Sequence, residues 1–104
     1  MTLEAGIERR AVAYARALKY EVIKIGTDGW PDDLVLLGRG RHFWWEFKNE
    51  VGRLRKAQEI RTEIMRDAAE VIYVPRSYAE AVEQLHYEIR LHNRGSAVAG
   101  NWRR

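Results

Sequence analysis

The chain reads as an α/β domain, a mixed β-sheet flanked by helices in the order α-β-β-β-α-β-α. Three features predict it. Apolar residues recur at helical spacing in three stretches. Short alternating or wholly apolar runs bounded by Gly, Pro and Asp lie between them. One connector, Gly38-Arg39-Gly40-Arg41, is too short for a crossover, so the strands it joins should form an antiparallel hairpin. Strands this apolar need helices on both faces, and a strand that follows a crossover helix should lie parallel to the one before it.

From Leu3 to about Lys19, the residues Leu3, Ile7, Ala11, Tyr14, Ala15 and Leu18 form one apolar stripe, with Thr2 as N-cap and Glu4 in the first turn. Glu8 sits beside that stripe, where it either pairs with Arg9 or Arg16 or serves a site. Tyr20 to Ile25 alternates as a half-buried strand does. Gly26-Thr27-Asp28-Gly29 is turn chemistry, and Pro31, which cannot donate to a ladder, belongs at the lip of the next strand. That strand, Asp33 to Leu37, is apolar enough to be buried on both faces.

Beyond the hairpin, Phe43, Trp45 and Phe47 share one face, while His42, Trp44, Glu46 and Lys48 share the other. A polar loop over Asn49 to Arg53 leads to a helix from about Leu54 to Ala69, whose expected buried stripe is Ala57, Ile60, Ile64 and Ala68. Val71 to Val74 is a short strand closed by Pro75. Ser77-Tyr78-Ala79-Glu80 is a capping box, opening a helix with Ala81, Val82, Leu85 and Ile89 inward. Gly95 is the expected C-cap, giving a domain over residues 1–95 and a flexible basic tail over 96–104.

With 104 residues and no linker-like block, one small domain is expected. No apolar run approaches the roughly 18 residues of a membrane span, and the N-terminus lacks a secretory pattern, so the expectation is a cytoplasmic protein. The absence of cysteine excludes disulfides and thiolate metal sites, leaving oxygen or imidazole ligands for any metal. The net charge is only +3, but Arg39, Arg41, Lys48, Arg53, Arg55 and Lys56 cluster in the middle of the chain, and Arg94, Arg103 and Arg104 near its end. Such local basic clusters favour polyanions, although a solvated basic face fits the composition equally well.

The chemistry concentrates between Gly29 and Lys48. Acids at the mouth of one strand and Glu46 on its hairpin partner can converge on a hard divalent cation, with Lys48 beside them to hold a water. His42 reads as a surface residue, and His86 and His92 fall on different faces of the last helix and make no metal pair. Trp30 and Trp44 read as packing residues.

Glu8, Gly29-Trp30-Pro31-Asp32, Glu46-Phe47-Lys48 and Gln58 together resemble the motifs of the virus-type replication-repair nuclease (VRR-NUC) domain, within the restriction-endonuclease-like PD-(D/E)XK superfamily. The resemblance spans about Leu3 to Leu85. It implies a metal-dependent, structure-specific DNA endonuclease of the kind often encoded by phages, with Holliday-junction resolution in DNA repair as one expectation. The setting would be a bacterial or phage-infected cell. It makes Asp32, Glu46 and the backbone carbonyl of Phe47 ligands of Mg²⁺, with Mn²⁺ as a substitute, and Lys48 the residue that orients or activates water. Gln58 would support the site and Glu8 would stand at its edge. The family usually has an apolar residue at the position of Asp33, so Asp33 stays open as an alternative to Asp32. Arg39, Arg41, Arg53, Arg55 and Lys56 would bind DNA. Symmetric incision of a four-way junction requires two sites, hence a homodimer. The alternatives are a non-catalytic DNA-binding or assembly module, and a nuclease acting on RNA or on nicked or linear DNA.

Overall fold

The computed structural model describes the backbone of residues 2–102 and the side chains of residues 2–94. The elements are α1 (Leu3–Ala17), β1 (Glu21–Lys24), β2 (Asp33–Gly38), β3 (Arg41–Trp45), α2 (Lys56–Asp67), β4 (Ile72–Tyr73) and α3 (Tyr78–Trp102). The strands form one sheet in the order β1-β2-β3-β4, antiparallel except for the β3–β4 pair. The expected mixed sheet, hairpin and parallel fourth strand are therefore all present. The hairpin turns through Arg39 and Gly40, both at positive φ, and Leu37 bulges out of the ladder next to Gly38.

Two layers cover the sheet. On one face α1 and α3 pack against Val22, Val35, Leu37, Phe43, Trp45 and Phe47, which form the main core with Ile7, Ala11, Ala15, Ala81 and Leu85. The aromatics meet at angles suited to ring quadrupoles, with Phe43 edge-on to Trp45 at 5.2 Å and to Tyr73 at 5.6 Å. Polar tips inside this layer are satisfied: the Trp45 indole N–H donates to Gln84, and the Tyr73 hydroxyl donates to the buried Glu88 at 2.7 Å.

The other face carries α2 alone, over Trp44, Met65 and Ile72, with Ile25, Trp30 and Leu34 at the margin. One helix cannot cover four strands. Leu34 and Leu36 are consequently only half-buried, so β2 is fully covered on one face and not on both as expected.

The stripe expected to anchor α2 is also displaced. Gln58, Thr62 and Met65 are buried, whereas Ala57, Ile60, Ile64 and Ala68 are exposed. Both stripes have helical spacing, and the helix turns its more polar one inward because Gln58 has a carboxylate to meet there. The backbone stays helical through Gly95 to Trp102 where a C-cap and flexible tail were expected. Gly95 and Gly100 each cost a helix only about 1 kcal/mol, and no proline interrupts the stretch. Arg103 and Arg104 lie outside the described residues.

Helix ends follow local chemistry. Thr2 accepts from Ala5 N–H at 3.1 Å, and Ser77 accepts from Glu80 N–H at 3.1 Å. The α2 terminus closes with paired bonds, Ala69 N–H to Arg66 O and Glu70 N–H to Met65 O, which require Ala69 at φ 67°. A β-carbon is disfavoured there. The Ala69→Gly chain should accordingly gain about 0.5–1 kcal/mol in urea unfolding, and an unchanged or lowered midpoint would contradict this account of the turn.

Candidate active site

Beyond the last ladder pair, Asp33 with Trp45, the two hairpin strands are held together by a side chain. Asp32 Oδ2 accepts from the backbone N–H of Phe47 at 2.7 Å. On its other side, the end of β3 is tied to the segment around β4, because Glu46 N–H donates to Tyr73 O and Lys48 N–H to Pro75 O. With the backbone pinned from both sides and Phe47 buried in the aromatic core, alternation sends Glu46 and Lys48 to the opposite face.

There they line a cleft of about 260 Å³, together with Asp32, Glu4 and Glu8 from α1, and Arg55 and Gln58 from the start of α2. Glu46 is 3% exposed. Its Oε2 receives Gln58 Nε2 at 3.2 Å and Lys48 Nζ at 3.3 Å, while its buried Oε1 has no partner among the described residues. Burial pushes the Glu46 carboxyl up to about 7, and the charge of Asp32 adds to the rise. Asp32 is raised too, first by burial, against the lowering effect of its bond from Phe47.

Gln58 does two jobs with one amide. Its Oε1 accepts from Arg55 N–H at 2.9 Å, which satisfies a free donor at the start of α2, and this points Nε2 at Glu46. The arginine at the N-cap cannot accept hydrogen bonds, so the glutamine supplies the only half of the capping box that chemistry permits.

Asp33 lies on the other face of β2, 2% exposed, among residues beneath α1. Glu8 bridges the two environments. It lines the cleft and binds Lys24 Nζ at 2.5 Å through Oε2. Asp33 Oδ2 has no donor, because its neighbour Glu8 is itself an acceptor. Burial and the hydrogen bond to Glu8 push Asp33 up to about 8, so it keeps its proton and donates to Glu8. Burial alone would raise Glu8, but the bonds from Asp33 and Lys24 outweigh it and hold Glu8 below the usual range.

The structure thus brings Glu8, Asp32, Glu46, Phe47, Lys48 and Gln58 to one cleft and places Asp33 outside it. It separates the basic residues. Arg39 and Arg41 sit at the hairpin tip, about 17 Å along β2 from the cleft at roughly 3.3 Å per residue, so they cannot grip phosphates beside it. Arg55 reaches the cleft but pairs with Asp28 at 2.6 Å, while Arg53 and Lys56 are exposed nearby. His42 pairs with Glu70, which also accepts the Trp44 indole N–H.

Glu4 was missed as a site residue, although its spacing of one turn from Glu8 is the signal that could have found it. Arg76 was also missed. It donates to the carbonyls of Asn49, at 2.8 Å, and Gly52, bracing the loop that follows Lys48.

A divalent cation fits this donor set. Four carboxylates line the cleft, those of Glu4, Glu8, Asp32 and Glu46, and Glu46 keeps one oxygen buried and unpartnered while Lys48 meets the other at 3.3 Å. Among the described residues no cluster of three or more His, Cys, Asp or Glu side chains is arranged to hold an ion. A small set of protein oxygens completed by water and phosphate is the Mg²⁺ pattern more than that of a closed cage.

The sheet, its two helical layers and the acids and lysine at the hairpin mouth define a restriction-endonuclease-like fold. No protein-family model and no curated protein matches the chain. A solved structure described as a VRR_NUC domain does, with 27% sequence identity and a TM-score of 0.74, covering 83% of this chain and 97% of that one. The chain is thus similar in fold and sequence to a VRR_NUC domain over most of both chains, a likeness that points to a nuclease-type family. Among the described residues no helix is long and apolar enough to cross a membrane.

Glu46 and Asp33 hold protons when folded that they release when unfolded, so stability should fall as pH rises from about 4.5 towards 7 for Glu46 and from about 3.8 towards 8 for Asp33. In metal-free buffer, Glu46→Gln should flatten the decline in urea midpoint between pH 5 and pH 8 by on the order of 1–3 kcal/mol. An unaltered slope would show that Glu46 ionises freely.

Proposed function

We propose that this chain is a Mg²⁺-dependent endonuclease that hydrolyses phosphodiester bonds in branched or otherwise structured DNA, with four-way junctions among its substrates. The observation that carries the reading is the pairing of Asp32 with Glu46 in one cleft, Glu46 Oε1 unpartnered and Lys48 alongside. Asp32, Glu46 and the Phe47 carbonyl would hold the ion. When bound, Mg²⁺ neutralises charge on the scissile phosphate and acidifies a water.

The chain's own residues do the rest. Lys48, kept near Glu46 by charge, is placed to orient the attacking water by donating a hydrogen bond. The water gives up a proton to solvent as its oxygen bonds to phosphorus, the bond to the 3′ oxygen breaks opposite it, and that oxygen takes a proton from solvent, leaving a 5′-phosphate and a 3′-hydroxyl. Gln58 keeps Glu46 in one rotamer, and the Glu8–Lys24–Asp33 group fixes the α1 wall without competing for the phosphate. Arg53, and Arg55 if it leaves its exposed pair with Asp28, would hold flanking phosphates. Arg39 and Arg41 would touch DNA only several nucleotides away. Two symmetric cuts in one junction require two such clefts, so the working unit would be a twofold dimer.

Incubating the protein with labelled four-way, flap and linear DNA should give cleavage with Mg²⁺ and none with EDTA. Glu46→Ala and Lys48→Ala should slow cleavage by about 10²–10⁴-fold while leaving DNA bound. Binding without cleavage in the parent chain would make it a non-catalytic module, and a preference for RNA or linear DNA would reassign the substrate. Binding measured without metal should also weaken steeply with salt, as phosphate contacts require. A flat salt dependence would remove the basic rim from the interface.

A further inference from the structure

We propose that the exposed apolar stripe of α2 is the surface through which two copies of this chain pair, with their α2 helices antiparallel about a twofold axis. This deepens the dimer part of the proposed function by naming its surface, and needs neither metal nor DNA. Single exposed apolar residues are ordinary, but here Ile60 and Ile64 are 50% and 53% exposed and stand one turn apart. Exposed Ala57 and Ala68 continue the stripe in both directions. The spacing is that of a helix-packing seam, and the small alanines at its ends allow a second helix to approach within the usual 8–10 Å.

Charge selects a second copy as the occupant. Lys56 begins α2 and Asp67 ends it, both exposed and neither with an ion-pair partner among the described residues. Each is at the wrong end for its own helix, since the dipole disfavours a cation at the N-terminus and an anion at the C-terminus. An antiparallel neighbour reverses this. Seating Ile60 against the second copy's Ile64 puts Ile64 against its Ile60 by symmetry, and sets each Lys56 beside the other copy's Asp67 and helix C-terminus. The interface is isologous and closes at two. Gln58 is on the buried side of α2, so the bond to Glu46 is untouched. Lys56 then serves the pairing in place of a phosphate.

Sedimentation velocity of the full chain from about 1 to 100 µM, without DNA or metal, should show a dimer. Ile60→Asp and Ile64→Asp should each weaken pairing by about 100-fold, the effect of removing apolar contacts on both copies, with the circular dichroism spectrum unchanged because these side chains are exposed on the protomer. Lys56→Glu and Asp67→Lys should each weaken it by about 3- to 10-fold, and the double swap should restore it. A wild-type chain that stays monomeric overturns the proposal. So does a dimer that survives both Asp variants at wild-type affinity, an outcome that leaves the twofold dimer standing on another surface. Junction cleavage assayed in parallel separates either failure from failure of the nuclease reading.

Discussion

Glu46 is a carboxylate buried with one oxygen satisfied and the other not, and most of the fold can be understood as what it takes to hold it there. Burying a carboxylate with one oxygen unpartnered is costly, and its carboxyl rises accordingly. The cost is tolerated because the backbone on either side of Glu46 has nowhere else to go. Trp45 and Phe47 are locked into the α1–α3 core, and the backbone N–H groups of Glu46 and Phe47 are taken by Tyr73 O and Asp32. Strand alternation does the aiming, and the aromatic face supplies the force. Each fully buried aromatic of this kind is worth about 3–5 kcal/mol against alanine, ample to offset a strained carboxylate.

The supports around Glu46 are economical in the number of groups they use. The Gln58 amide caps α2 with one atom and orients Glu46 with the other, so the register of the helix and the geometry of the cleft cannot drift independently. Asp33, protonated, turns a repulsive pair of acids into a donor and an acceptor and leaves Glu8 ionised beside Lys24. Two adjacent aspartates thus face opposite ways, Asp32 towards the cleft and Asp33 beneath α1 as a structural acid.

Strand periodicity made the sheet, the hairpin and the face shared by Glu46 and Lys48 legible, because alternation over β3 is unambiguous and the short turn admits only antiparallel pairing. The choice between Asp32 and Asp33 was not legible, since alternation loses its reference at a strand's lip. The bond from Phe47 N–H to Asp32 and the place of Asp33 beneath α1 separate them. The α2 stripe misled for a different reason. Ala57, Ile60, Ile64 and Ala68 have the spacing of a core face, but burial of that helix is governed by the polar contact of Gln58. Arg39 and Arg41 stand near Glu46 and Lys48 in sequence, but the length of an extended strand carries them to the far end of the hairpin.

The bonds that carry Glu46 and Lys48 end on Tyr73 and Pro75, in and beside a strand only two residues long at the edge of the sheet. Arg76, just after it, also holds the loop behind Lys48. The cleft and this short edge therefore make one cooperative opening unit. Fraying at β4 would release Glu46, Lys48 and the loop together, so the cleft's lifetime is set by how long its least anchored strand stays in place, and amide exchange at Glu46 and Lys48 would report that opening.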